Sequence, residues 1–197
     1  MKIRPILFST PMVEAIMEKR KTKTRRTQGL EKINEDPERY MFWKNGDIFN
    51  VDDLETLTEF ELVPKFKAGD ILWVRETWQK AVVGYIYKAK PKNQQFASKW
   101  KPSIFMPKVA CRNFLECINV GVERLQDISE KDAIAEGVGK YFDTEFYVMY
   151  GSKNDWAVTA FASFAYLWGS INGKESWESN PWVWVYDFKP TKRPTNF

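Results

Sequence analysis

Two short segments set the frame of this chain. In "NPWVWVYDF", Asn180–Phe188, Trp182, Trp184 and Tyr186 fall on one face and Val183 and Val185 on the other. A period of two is the spacing of an extended strand, not of a helix. "KAGDILWVRETW", Lys67–Trp78, repeats the pattern after a Gly69-Asp70 turn, with Ile71, Trp73 and Arg75 opposite Leu72 and Val74. "AVVGYIYKA", Ala81–Ala89, predicts a second strand of this kind. "VACRNFLECINVGVERLQDI", Val109–Ile128, predicts one long strand or a hairpin-like pair.

Helices are fewer. "IRPILFST" reads as a strand leading into a helix, with Thr10 as N-cap and Pro11 at the first helical position. The helix that follows puts Met12, Val13, Ile16 and Met17 on one face, and Lys19, Arg20 and Lys21 at its C-terminus. In "ISEKDAIAEGV", Ser129 with Asp132 resembles a capping box, and Gly137 is a natural C-cap. "DWAVTAFASFAYLWGSING", Asp155–Gly173, predicts an amphipathic helix with Trp156, Phe161, Phe164 and Trp168 in the core. Residues 29–66 are polar and acidic, with a hairpin expected around the Asn45-Gly46 turn, and residues 90–103 form a polar loop. The order of elements predicts an α+β domain, a small mixed or antiparallel barrel flanked by short helices.

The 197 residues suit one domain with insertions. The chain contains no histidine, which removes Ser-His-Asp and Cys-His catalysis and most zinc sites. Cys111 and Cys117 fit no metal spacing and read as small buried hydrophobes. No ligand cluster or Gly-rich phosphate loop points to a metal or organic cofactor, so none is expected. No apolar run is long enough for a membrane span and no signal peptide opens the chain, so a soluble, cytoplasmic protein is expected. The net charge of +4 is modest and argues against tight nonspecific binding of nucleic acid.

The charge is uneven, however. "KRKTKTRR", Lys19–Arg26, packs six cations into eight residues. A lysine that loses its proton can activate a threonine hydroxyl, and burial or neighbouring cations promote that loss. Lys21 and Thr24 are candidates, with Arg20, Lys23, Arg25 and Arg26 as neighbours. Residues three apart on a straight strand point to opposite faces, so Lys21 must belong to the helix end or a turn to serve Thr24.

"EKRKTKTRR", "KAGDILWVRETW" and "LQDISEKDAIAEGV" occur in the order seen in the ASCH family, relatives of the PUA-like barrels. The chain resembles a long member of that family, of the phage or prophage type. The resemblance covers residues 1–28, 65–90, 104–138 and 181–188, within one domain at 1–190. Insertions then fall at 29–64 and 139–180, and a basic, mobile tail at 191–197. A small bacterial member of the family hydrolyses N4-acetylcytidine with a lysine, a threonine and a glutamate. The resemblance carries these roles to Lys21 as proton acceptor, Thr24 as nucleophile and Glu136 as proton donor to the leaving amine. Arg20, Arg26, Arg75 and Trp73 are the candidate substrate-binding residues, with Arg26 or a nearby backbone N–H facing the oxyanion. The implied partner is a modified nucleoside or RNA. A non-catalytic module that binds RNA or a modified base is the alternative, with Trp73, Trp78 or Trp100 as a stacking platform.

Overall fold

The computed structural model describes residues 1–42, 48–52, 56–57, 62–89, 99–142, 144–149 and 155–197. In chain order the elements are β1 (Ile3–Leu7), α1 (Thr10–Met17), β2 (Lys23–Arg26), α2 (Glu31–Asn34), β3 (Tyr40–Phe42), β4 (Ile48–Asn50) and β5 (Thr56–Leu57). They continue as β6 (Ile71–Arg75), β7 (Trp78–Lys80), β8 (Tyr85–Tyr87), β9 (Phe114–Arg124) and α3 (Glu130–Ala135). The last are β10 (Tyr147–Val148), β11 (Trp156–Ala157), α4 (Ala160–Asn172), α5 (Lys174–Glu178) and β12 (Trp182–Thr191). The α+β class is as the sequence predicts. No closed barrel forms among the described residues.

The chain divides into two compact units that are interleaved in sequence. The first comprises 1–22, 66–119 and 187–197, and the second 23–65 and 120–186. Both segments read as insertions, 29–64 and 139–180, lie in the second unit.

In the first unit β1 pairs in parallel with β6, and β6 pairs antiparallel with β9 through Trp73↔Phe114. Gly69 takes φ +84, a conformation that favours glycine. It turns the chain so that Asp70 accepts N–H groups from Lys2 (2.7 Å) and Lys67 (3.2 Å). Ile71, Trp73, Trp78, Met106, Cys111 and Phe114 form a core cluster. Cys111 precedes β9 rather than sharing it with Cys117, and burial pushes both thiols up to about 11. "AVVGYIYKA" is not a strand throughout. Only Tyr85–Tyr87 pairs, with β7, and Val82 and Val83 are exposed in the connecting turn.

Helix α1 starts one residue earlier than its sequence suggests, with Ser9 at the N-cap. It ends by a Schellman pattern. Lys19, at φ +62, bonds its N–H to the Ile16 carbonyl (3.0 Å), and Arg20 reaches that of Ala15 (2.8 Å). A lysine in the left-handed region carries a cost of about 1 kcal/mol that glycine would avoid. Lys19–Lys21 therefore lie past the helix, not in its last turn.

The tail is not mobile at its end. Phe197 packs its ring against Phe114 at 4.7 Å and Trp73 at 5.9 Å between centroids.

In the second unit the sheet runs in the order β9, β12, β2. β12 is buried from Trp182 through Tyr186, on both faces. The hairpin expected in the acidic region exists as β3 and β4, paired Tyr40↔Asn50 and Phe42↔Ile48, with β5 on its other edge. Its Asn45-Gly46 turn lies outside the described residues, as does most of the polar loop at 90–103. Ser129 caps α3 by accepting the Asp132 N–H at 3.1 Å, and Gly137 follows at φ +96, as the sequence predicts. Helix α4 begins five residues later than expected, capped by Thr159. Glu130 adds its carboxylate to that N-terminus, accepting the N–H groups of Ala160 (2.8 Å) and Phe161 (3.0 Å). Phe164 and Trp168 are buried, but Trp156 sits in β11 and is exposed.

Candidate active site

The described residues bury seven polar or charged side chains: Lys21, Thr24, Arg25, Asp70, Glu76, Glu136 and Ser163. The three residues assigned catalytic roles are among them. Charged groups resist burial unless they are paired or used, so this set is selective.

Lys21 belongs to the first unit. Its N–H bonds to the Ala15 carbonyl at 3.1 Å, which makes it part of the helix-end turn and not of β2. The side chain is 1% exposed, with Nζ 5.5 Å from the centre of the Phe8 ring. Phe8 in turn stacks near Phe188.

Thr24, Arg25 and Arg26 lie on β2 in the second unit. Alternation puts Thr24 and Arg26 on one face and Arg25 on the other. Thr24 is fully buried, and its Oγ1 has no hydrogen-bond partner. An unsatisfied buried hydroxyl costs about 1–3 kcal/mol.

Arg25 is fully buried and faces three carboxylates. Its Nε donates to Glu123 at 2.8 Å, its Nη1 to Glu136 at 3.1 Å, and Nη2 lies 3.7 Å from Asp132. Asp132 also pairs with Lys23 at 3.4 Å. This clasp ties β2 to β9 and α3 and fixes the carboxylate of Glu136, which is 3% exposed. The Arg25 guanidinium also stands over the Phe164 ring at 5.9 Å. Arg26 is half-buried overall, but its head group is desolvated, which lowers its pKa against the opposing fields of Glu136 and Tyr186. Its Nη1 donates to the Arg25 carbonyl at 2.9 Å. Burial raises the Glu123 carboxyl above its ordinary range, with Arg25 opposing.

The remaining predicted residues have partners of their own. Arg20 pairs with Glu18 on the surface at 2.5 Å. Arg75 stacks on Trp73 at 5.4 Å and bonds to the Ile104 carbonyl. Trp73 is a core residue covered by Phe197 and Arg75, so it offers no open platform, and Trp78 is likewise buried.

Sequence reasoning missed Arg25 as the centre of an ionic cluster. Its one signal was an arginine opposite Thr24 and Arg26 on a short strand. It also missed Glu76, fully buried in the first unit. Arg112 grips that carboxylate through Nε (2.9 Å) and Nη2 (2.7 Å), and Asn113 adds Nδ2 at 3.2 Å. An open groove of about 460 Å³, lined by Thr27, Glu31, Asn34, Glu175, Ser176, Ser179 and Pro181, holds none of the predicted residues. No group of three or more His, Cys, Asp or Glu among the described residues could hold a metal ion. No helix among them is long and apolar enough to cross a membrane. Comparison with family models, with curated proteins and with solved structures finds no match to this chain.

Proposed function

We propose that this chain is an amidohydrolase that removes an N4-acyl group, in the simplest case acetyl, from a modified cytosine nucleoside. Thr24 Oγ1 attacks the acyl carbon, and Lys21 accepts the hydroxyl proton. The tetrahedral intermediate collapses with cleavage of the C–N bond, and Glu136 delivers a proton to the leaving N4 amine. Water then attacks the threonine ester, giving a proton to Glu136, while Lys21 returns its proton to Thr24 Oγ1 as the ester C–O bond breaks. The carboxylic acid is released and both groups are restored. Arg26, with its desolvated head group, stabilises the oxyanion.

The observation that carries this reading is the Thr24 hydroxyl, fully buried and without a hydrogen-bond partner. Lys21 is buried at the helix end, and the Arg25 clasp gives Glu136 a fixed position. The ASCH resemblance and the PUA-like barrel belong to the same proposal, supported by a mixed sheet with a parallel β1–β6 pair. Two free, buried cysteines favour a reducing, cytoplasmic compartment.

The test is hydrolysis of N4-acetylcytidine by purified protein, followed by loss of the acetylated-base absorbance. Turnover should fall by at least 10³-fold in Thr24→Ala and in Lys21→Ala, as removal of a nucleophile or its base does in other hydrolases. Full activity in Thr24→Ala, or no turnover by folded wild-type protein, would sink the proposal.

A further inference from the structure

The net charge of +4 conceals a partition. The first unit carries 18 Lys and Arg against 6 Asp and Glu, a formal +12. The second carries 12 against 20, a formal −8. The modest total therefore does not weigh against a polyanionic partner for the first unit.

One surface of that unit combines cations with exposed apolar side chains. Residues 99–112 hold Lys99, Lys101, Lys108 and Arg112 and no acid, and the tail from Lys189 adds Lys192 and Arg193, again with no acid. Docking of Phe197 brings the tail to the loop. Lys108 Nζ lies 4.5 Å and the Arg193 guanidinium 5.1 Å from the same ring. Phe105 is 69% exposed, between Ile104 and Val109 at 57% and 63%. These side chains are not on a loose loop. Two 3-10 turns, Ser103–Phe105 and Lys108–Ala110, follow Pro102 and Pro107. Met106 and Ala110 are buried beneath them, Arg75 bonds to the Ile104 carbonyl, and Tyr87 donates to that of Ala110 at 2.6 Å.

We infer that this surface of the first unit binds a single-stranded nucleic acid, with Phe105 as the stacking platform and Lys101, Lys108, Lys192 and Arg193 on the phosphates. A rigidly held, exposed ring on a segment that carries Lys101 and Lys108 and no acid matches a strand that presents both base faces and a charged backbone. Neither Phe105 nor these cations belongs to the motif around Lys21 and Thr24. The inference goes beyond the hydrolase reading and stands or falls without it.

The experiment is fluorescence anisotropy of a labelled 12-nucleotide oligouridylate with the full chain, across a salt series. Three or four phosphate contacts predict a roughly 20- to 50-fold loss of affinity between 50 and 200 mM salt. Phe105→Ala should weaken binding about 10-fold and leave the salt slope unchanged. Lys101→Glu with Lys108→Glu should weaken it further and flatten the slope, while Lys174→Glu in the second unit should change neither. Because Phe105 is exposed, its loss leaves the fold intact. Four outcomes overturn the inference: no binding, a salt-independent affinity, equal binding to anionic phosphatidylserine vesicles, or salt-sensitive self-association in sedimentation that accounts for the signal. Anisotropy requires no turnover, so it separates a failed surface from a failed hydrolase.

Discussion

The two units solve opposite charge problems in the same way. The first is basic, and the charged group it buries most completely is an acid, Glu76, gripped by Arg112 and Asn113. The second is acidic, and it fully buries a cation, Arg25, among Glu123, Asp132 and Glu136. In each, the most completely buried charge has the minority sign and sits among groups that pair with it, although Lys21 in the first unit and Glu136 in the second are buried charges of the majority sign. The surface keeps the excess, where water screens it. The difference lies in how far the partners can retreat. Arg112 is 23% exposed at its side chain, and of the partners of Arg25 Glu123 and Asp132 are 28% and 27% exposed, so the contrast rests on Glu136 alone, at 3%.

That difference fixes the largest expected effect. Arg25→Met removes the guanidinium shared by Glu123, Asp132 and Glu136 and should destabilise the fold by about 3–5 kcal/mol in denaturant titrations. Hydrogen exchange should show the loss concentrated in β2 and α3. Glu76→Met, the matching change in the first unit, frees an arginine that can turn toward water. Its cost should be smaller, about 1–3 kcal/mol. Equal costs would break the comparison.

A smaller effect tests the helix end that buries Lys21. Lys19→Gly relieves the left-handed conformation and should stabilise the protein by about 1 kcal/mol. A lower midpoint would mean that the Lys19 side chain itself contributes.

The smallest effect is a pH dependence confined to the second unit. Burial raises the folded pKa of Glu123 above its ordinary value of 4.5. Its proton therefore stabilises the folded state at acidic pH, and that contribution is lost as pH rises through the raised value. Glu123→Gln resembles the protonated form and should flatten the stability profile above about pH 4.5. An unchanged profile would show that Arg25 outweighs desolvation at this carboxyl.

Much of the frame was legible because its signals are local. Alternation in β6 and β12, the Ser129 cap and the Gly137 turn depend on neighbours within four positions. The errors were also local competitions. Trp156 and Ala157 continued the apolar pattern of α4 but pair as β11, and Thr159 takes the cap. The residues proposed for catalysis were named through a resemblance, and their burial is new information from the structure.

What the sequence determined by itself is the α+β order of elements and the cluster of cations at Lys19–Arg26. The tertiary structure decided which charges are inside and which unit holds which sign. Arg25 meets Glu123 and Glu136 across 98 and 111 residues. The units interleave, so a window along the chain mixes +12 with −8 and reports neither. Burial and charge partition are properties of distant segments brought together, and no spacing rule along the chain encodes them.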